Sequence, residues 1–187
     1  LRGDAVISIV IPTLNEARRL AAVLDALGGQ GTACEVIVAD GGSDDATLGV
    51  ARDRGARVVV CRRGRGLQLA AGASLARGEV VLFLHADSVF PEGGLAAIER
   101  TLAVSPRLVG GNFRVVFDGD DRFSRWLTRA YAWIRRRGWY YGDSGVFVRT
   151  PVYRALGGVR PMALMEDYDF VRRLERFGPT CCIDEPA

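Results

Sequence analysis

VVLFLHADS, residues 80–88, is the stretch on which the reading of this chain turns. Its first five residues are apolar, and they belong to the branched and aromatic types that suit a strand covered on both faces. His85, Ala86 and Asp87 follow at once, so groups able to bind a ligand appear as the strand ends. Open α/β sheets take their ligands in the crevice beyond the carboxyl ends of their strands. Asp87 is therefore expected either to hold a cation or phosphorylated substrate, or to cap the turn before Pro91 and Glu92.

Upstream, AVISIVI at residues 5–11 reads as a strand stopped by Pro12 and Thr13, and Leu20, Val23, Leu24 and Leu27 then repeat at helical spacing up to Gly28 and Gly29. EVIVA at 35–39 is a second strand, and in the turn after it Ser43 is expected to cap a helix running to Arg54. RVVV at 57–60 is a third strand. This alternation demands a parallel sheet with right-handed crossovers. Residues 62–66, RRGRG, read as a flexible basic loop opening a helix of small residues over 67–76. Its glycines let backbone approach a ligand and the helix start with Arg65 favours an anion, a plain surface turn being the other reading.

Downstream, residues 91–102 read as a helix and 109–118 as a strand antiparallel to the rest. Phe123, Trp126, Leu127, Ala130, Trp133 and Ile134 form a helical apolar stripe, with Arg122, Arg125, Arg129, Arg135 and Arg136 largely outside it. Such a helix either packs on its sheet with a solvated arginine face or lies on an anionic membrane surface. GWYYGDSG at 138–145 is a loop suited to a pocket wall, followed by a short strand at 145–149 and a short helix at 151–156. In MEDYDFVRRLERF, residues 165–177, the acids Glu166, Asp167 and Asp169 open a helix whose dipole stabilises negative charge there. Residues 181–183 read as an edge strand.

With 187 residues and 49% hydrophobic content the chain is long enough for one domain with a proper core. All 25 basic residues are arginine, which excludes a lysine Schiff base or a P-loop lysine and offers planar donor forks for phosphate or carboxylate. A net charge of +3 does not call for a nucleic-acid partner. No run approaches the ~18–20 apolar residues of a membrane span and no signal-peptide pattern opens the chain, so a cytoplasmic location is expected, with peripheral contact at the inner face of the membrane through the basic helix. Cys34, Cys61, Cys181 and Cys182 lack metal-site spacing and are expected to be reduced and mostly buried.

The order of the motifs resembles a family 2 glycosyltransferase of the GT-A fold. VIPTLNE at 10–16 resembles that family's opening strand and loop, VADGGSDDAT at 38–47 its second strand and nucleotide-contacting turn, HADS at 85–88 its DxD element, and MEDYD at 165–169 its ED motif. GDSGVFVRTPVYRALGG at 142–158 resembles the acceptor-side segment. The resemblance implies a single domain over 1–187, a mostly parallel central sheet with helices on both faces, with residues 1–88 binding the nucleotide sugar and 89–187 the acceptor. Pro12, Thr13, Asn15 and Glu16 would line the base and ribose pocket, Asp40 would accept a hydrogen bond from the nucleobase, and Arg65 and Ala86 would border the base or diphosphate. Asp87, with His85, would bind a divalent cation, Mn2+ or Mg2+. Asp167 would be the general base of an inverting transfer from a UDP-sugar or GDP-sugar to a sugar, lipid-linked or small-molecule acceptor, with Asp143 and Glu166 on the acceptor side.

The chain departs from the family pattern at three places. His85, the only histidine, stands where an aspartate is usual, and imidazole suits manganese better than magnesium. Gly41 replaces a second consecutive aspartate, and the family generally continues with further helices beyond the ED motif, so the acceptor half is expected to be incomplete. A non-catalytic nucleotide-sugar or polysaccharide-binding module of the same fold is the alternative. A sugar-phosphate nucleotidyltransferase would carry its glycine-rich loop after the first strand, where PTLNE stands, and no GxGxxG follows that strand as a dinucleotide-binding dehydrogenase would require.

Overall fold

The apolar runs become strands and the periodic stretches become helices in the order the sequence implies. The computed structural model describes residues 7–115, 121–135, 137–140, 142–162 and 164–184. Its elements are β1 (Ile7–Thr13), α1 (Ala17–Gly28), β2 (Cys34–Asp40), α2 (Thr47–Asp53), β3 (Arg57–Val60), α3 (Arg65–Ser74), β4 (Val80–Phe83), α4 (Gly94–Val104), β5 (Gly110–Phe113), α5 (Arg122–Arg135), β6 (Val146–Arg149), α6 (Thr150–Ala155), α7 (Glu166–Phe177) and β7 (Thr180–Ile183). The strands form one seven-stranded sheet in the order β3-β2-β1-β4-β6-β5-β7.

Alternate residues of β1 go to opposite faces. Ile7, Ile9 and Ile11 pack with Leu20 and Leu24 of α1 and Leu95 and Ile98 of α4. Val10 packs on the other face with Leu69 and Ala73 of α3 and Phe170, Val171 and Leu174 of α7. Both faces are therefore covered, which is why β1 and β4 read as continuous apolar runs rather than alternating ones.

β1 continues through Pro12 and Thr13, which pair with Ala39 and Asp40, so Pro12 does not stop it as expected. Val10 O accepts Leu84 N and Thr13 O accepts Gly41 N, so Val10 and Pro12 face β4 whereas Thr13 faces β2. β4 ends at Phe83, opposite Val10, and the proline's missing N–H falls where no ladder partner is needed. A second correction concerns direction. β6 pairs antiparallel with both β4 and β5, and β5 pairs parallel with β7. The reversed strand is thus β6, and β5, expected to run against the rest, runs with it. The portion of the expected strand at 116–118 lies outside the described residues. β7 is an edge strand, as expected.

Cys34, Cys61 and Cys181 are half-buried and Cys182 is exposed, so the cysteines are less buried than expected. Among the described residues no helix is long and apolar enough to cross a membrane.

The site depends on how closely α3 lies against the sheet. A Cβ built at Gly72 would fall 2.4 Å from Val10 Cγ1. Elsewhere in a helix glycine to alanine stabilises by about 1 kcal/mol. Here we expect Gly72→Ala to destabilise the fold by about 1–3 kcal/mol through overpacking, measured as a lower urea midpoint at unchanged slope.

Candidate functional site

β1 and β2 end side by side and their following turns are tied together. Asp40 is fully buried and accepts hydrogen bonds from Thr13 Oγ1 at 3.1 Å, Gly42 N at 2.9 Å, Ser43 N at 2.8 Å and Ser43 Oγ. Burial works to raise its pKa, but donation from Ser43, Gly42 and Thr13 outweighs burial and holds the carboxyl below its ordinary value. Both oxygens are thereby spent on the turn, so the expected bond from Asp40 to a nucleobase is not open in this arrangement. Asp40 orders the turn at residues 40–43. Ser43 is not a helix cap either: its hydroxyl accepts Asn15 N at 2.8 Å, and Asn15 Oδ1 accepts Asp44 N at 3.0 Å. Asn15 adopts the left-handed region at φ 56°, which asparagine tolerates. Asp45, which sequence reasoning passed over, accepts Thr47 N at 2.9 Å and Ala17 N at 3.3 Å, serving the starts of α2 and α1 together. Asn15 and Glu16 border an open depression with Arg18, Arg19 and Asp45, whereas Pro12 is half-buried and Thr13 buried, and neither lines it.

Gln68 is the second missed residue. It is buried on α3, donates from Nε2 to Thr13 O at 2.7 Å and Ala39 O at 3.0 Å, and accepts Gly64 N on Oε1 at 3.3 Å. One side chain thus joins the ends of β1, β2 and the glycine-rich turn. Its signal was a polar residue on a helix face otherwise made of Leu69, Gly72 and Ala73. It also explains Gly41, because a Cβ there would press on the Gln68 amide at 3.2 Å.

Arg65 lies in the first turn of α3 rather than in a flexible loop. Its guanidinium reaches His85 Nε2 at 2.7 Å, Asp167 Oδ2 at 3.1 Å and Glu166 Oε1 at 3.2 Å. Two bare backbones permit this meeting. A Cβ at Gly66 would sit 2.8 Å from Arg160 O, and one at Gly142 would sit 2.6 Å from the Arg65 guanidinium. Gly142 N donates to Asp167 Oδ2 at 2.9 Å, and Tyr168 N to Asp167 Oδ1 at 2.8 Å, so the carboxylate is held across the site rather than merely decorating a helix start. Glu166 is buried, and Asp169 turns away to Arg160 and Arg173.

Beyond β4, His85 is half-buried, Ala86 is buried with the core and Asp87 is exposed. The Ala86 side chain is therefore turned into the core, which leaves its backbone to face a ligand. Asp87 makes no hydrogen bond to a neighbouring turn among the described residues, so the reading of it as a cap fails. It lines a cavity of about 250 Å³ with Ser88, Phe113, Arg114, Ser144 and Gly145. That cavity shares Phe113, Arg114 and Ser144 with one of about 360 Å³ walled by Tyr131, Arg135 and Tyr140, so the aromatic loop does form a pocket wall, while Tyr141 lies outside the described residues. The Asp143 side chain lies outside the described residues too.

Burial, and secondarily Arg65, push the His85 pKa down to about 4 from 6.5, against the pull of Asp87 and Asp167. The imidazole is neutral and its lone pair usable. Among the described residues no three His, Cys, Asp or Glu side chains come together as a metal cage. His85 and Asp87 would be the side chains to hold a divalent cation here, imidazole suiting manganese better than magnesium, provided Arg65 gives up Nε2.

The sequence model of glycosyl transferase family 2 matches residues 8–157, and the chain belongs to that family. It is 38% identical over 117 residues to an uncharacterized glycosyltransferase of Mycobacterium tuberculosis, the match covering 62% of this chain and 52% of the relative. It is 34% identical over 106 residues to the 4,4'-diaponeurosporenoate glycosyltransferase of Staphylococcus haemolyticus, covering 52% of this chain and 28% of that protein. The chain thus spans about half the length of the mycobacterial relative. Among solved structures, a mannosyltransferase from Pyrobaculum calidifontis in complex with GDP-Man and Mn2+ superposes with a TM-score of 0.75 at 22% identity, covering 98% of this chain and 55% of that one. Glucosyl-3-phosphoglycerate synthase from Mycobacterium tuberculosis, in complex with Mn2+, UDP-Glc and phosphoglyceric acid, gives 0.73 at 22% identity, covering 97% and 70%. These two likenesses establish the GT-A fold.

His85 is the only histidine, so its ring resonances are unambiguous by NMR. In chelator-treated protein we expect a midpoint near 4, rising toward but not reaching 6.5 in Arg65→Ala because burial remains. Between 6.5 and 4 the unfolded chain binds a proton the native state refuses, so stability falls as pH falls through that window. A midpoint near 6.5 in the native protein would contradict the buried, arginine-facing placement.

Proposed function

We propose that this chain carries the donor-binding and base-bearing part of a glycosyltransferase that moves a sugar from a nucleoside diphosphate to an acceptor hydroxyl with inversion. The observation that carries the reading is the meeting at Arg65 of two segments far apart in sequence, His85 beyond β4 and Asp167 at the start of α7. The neighbours of the same fold that were crystallised with GDP-Man and with UDP-Glc support a donor of that class.

Asp167 takes the hydroxyl proton as the acceptor oxygen attacks the anomeric carbon, and the bond from that carbon to the diphosphate breaks with its electron pair leaving on the diphosphate. Gly142 N–H and Tyr168 N–H orient the carboxylate for this. Arg65, at the N-terminal turn of α3, leaves Asp167 for the donor diphosphate and thereby frees the base while neutralising the leaving group. Asp87 and His85 would hold the divalent cation, whose chemistry is to stabilise negative charge on the diphosphate oxygens. Residues 1–88 hold the donor, and the cavities walled by Ser144, Arg114 and Tyr140 receive the acceptor.

The test is calorimetry and turnover with UDP-sugar and GDP-sugar donors, each with Mn2+ and with chelator. Asp167→Asn is expected to keep donor affinity and lose about 10²- to 10⁴-fold in rate. Asp87→Ala is expected to lose the part of donor affinity that depends on the cation. Full activity in both folded variants would overturn the mechanism, and donor binding without turnover by the unaltered protein would indicate a binding module.

A further inference from the structure

α5 is the element least explained by the fold. None of its described side chains is buried, so its apolar stripe does not enter the core although its end is tied to β5 and β7. Phe123, Trp126 and Trp133 are 63%, 61% and 54% exposed. Arg122, Trp126, Arg129 and Trp133 follow at positions i, i+4, i+7 and i+11, so arginine and tryptophan alternate along one stripe of the helix. Phe123 stacks on Trp126 with ring centroids 6.1 Å apart, and the Arg137 guanidinium lies 3.6 Å from the centre of the Trp133 ring. The less exposed side, Leu127, Ala130, Tyr131 and Ile134, faces the body of the protein, where Arg135 bonds to Asn112, Thr180 and Cys181.

The exposed arginines of this patch are Arg122, Arg125 and Arg129 on α5 and Arg137 just beyond it; Arg135 turns inward to Glu175, and Asp121, exposed directly before the helix, is the nearest acid in sequence. Solvated helices ordinarily intersperse both signs, and a surface for an acidic protein does not require three large aromatic rings laid beside the guanidinium groups. Indole rings that rest at the headgroup level, together with arginines whose heads meet phosphate while their stems lie along apolar surface, are the side chains a lipid–water boundary selects. The patch also adjoins the site. α5 ends seven residues before Gly142, whose N–H holds Asp167, and the other segment converging on Asp167 carries exposed Leu164 and Met165.

We propose that the exposed stripe of α5 docks this protein on an anionic lipid bilayer, with the Asp167 side of the site turned toward the membrane surface. This goes beyond the donor chemistry and does not depend on which sugar is transferred. Each arginine brought to an anionic leaflet contributes about fivefold in partitioning.

All three tryptophans of the chain, Trp126, Trp133 and Trp139, lie in this region, so intrinsic fluorescence reports on it alone. The protein is titrated with vesicles of phosphatidylcholine and of phosphatidylcholine mixed with phosphatidylglycerol, reading tryptophan emission and co-sedimentation. The expected result is a blue shift and sedimentation with the mixed vesicles, weakened by salt and by about 10²-fold in the triple variant Arg122→Gln, Arg125→Gln, Arg129→Gln. Trp126→Ala with Trp133→Ala is expected to weaken binding at all salt concentrations, with folding of both variants checked by circular dichroism. Donor affinity of the same variants is measured beside it and is expected to be unchanged, so failure of the docking and failure of the proposed donor chemistry are told apart. Absence of sedimentation with mixed vesicles, equal binding to both compositions, or a blue shift that follows protein concentration without lipid, which would make a second copy the occupant, would each overturn the proposal.

Discussion

A single guanidinium, that of Arg65, holds His85, Glu166 and Asp167 in one site. Glu166 is buried and Asp167 lies beside it, and two carboxylates so placed repel each other and lose water unless a cation stands between them. Arg65 is that cation, and it also donates toward His85. Its reach requires the start of α3 to press against the start of α7, and the backbone is stripped to glycine at both points where a side chain would intervene, Gly66 and Gly142. The packing of α3 on β1 through Gly72 serves the same end. On the proposed mechanism the same cation would link donor binding to catalysis, because a diphosphate would compete with Asp167 for its charge.

The first half of the fold was legible because its signals are local. Strands at the β1, β2, β3 and β4 positions announce themselves as apolar runs ending in polar residues, and the helices between them by their period, so a parallel sheet with ligand groups at Asp87 follows from spacing alone. The reversal of β6 was not legible, since an apolar strand has the same pattern in either direction and only its neighbours define its sense. Here those neighbours are crowded: a Cβ at Gly110 would fall 2.3 Å from Phe147 O and one at Gly111 2.3 Å from Cys181 O. The paired glycines of GGNF marked that crowding, but a glycine pair in sequence reads equally as a turn.

Within the site, legibility divided by the kind of bond. His85 and Asp87 stood out by type and position at the end of a strand, whereas Asp167 was one of three acids at a helix start and only the resemblance singled it out. Those that act by being consumed, Asp40, Ser43 and Gln68, could not be told apart from ligand-binding groups until their partners were visible. Asp40 shows why. A buried carboxylate that accepts four hydrogen bonds has its acceptor positions filled, and it thereby fixes the turn at residues 40–43. The departure at Gly41 belongs to the same arrangement, because the space beside it is filled by the Gln68 amide that ties the ends of β1 and β2 together.

The two halves are consequently stabilised in different ways. Around β1, β2 and α3 the polar groups are buried and mutually satisfied, which fixes one geometry there. In the second half, α5 has no buried side chain among those described, and beyond it Gly142 contributes a backbone N–H to Asp167. A helix with this much exposed aromatic surface loses the hydrophobic contribution its residues would make in a core. An exposed apolar patch of this kind marks an interaction surface, and the arginines beside its indole rings favour a partner of negative charge.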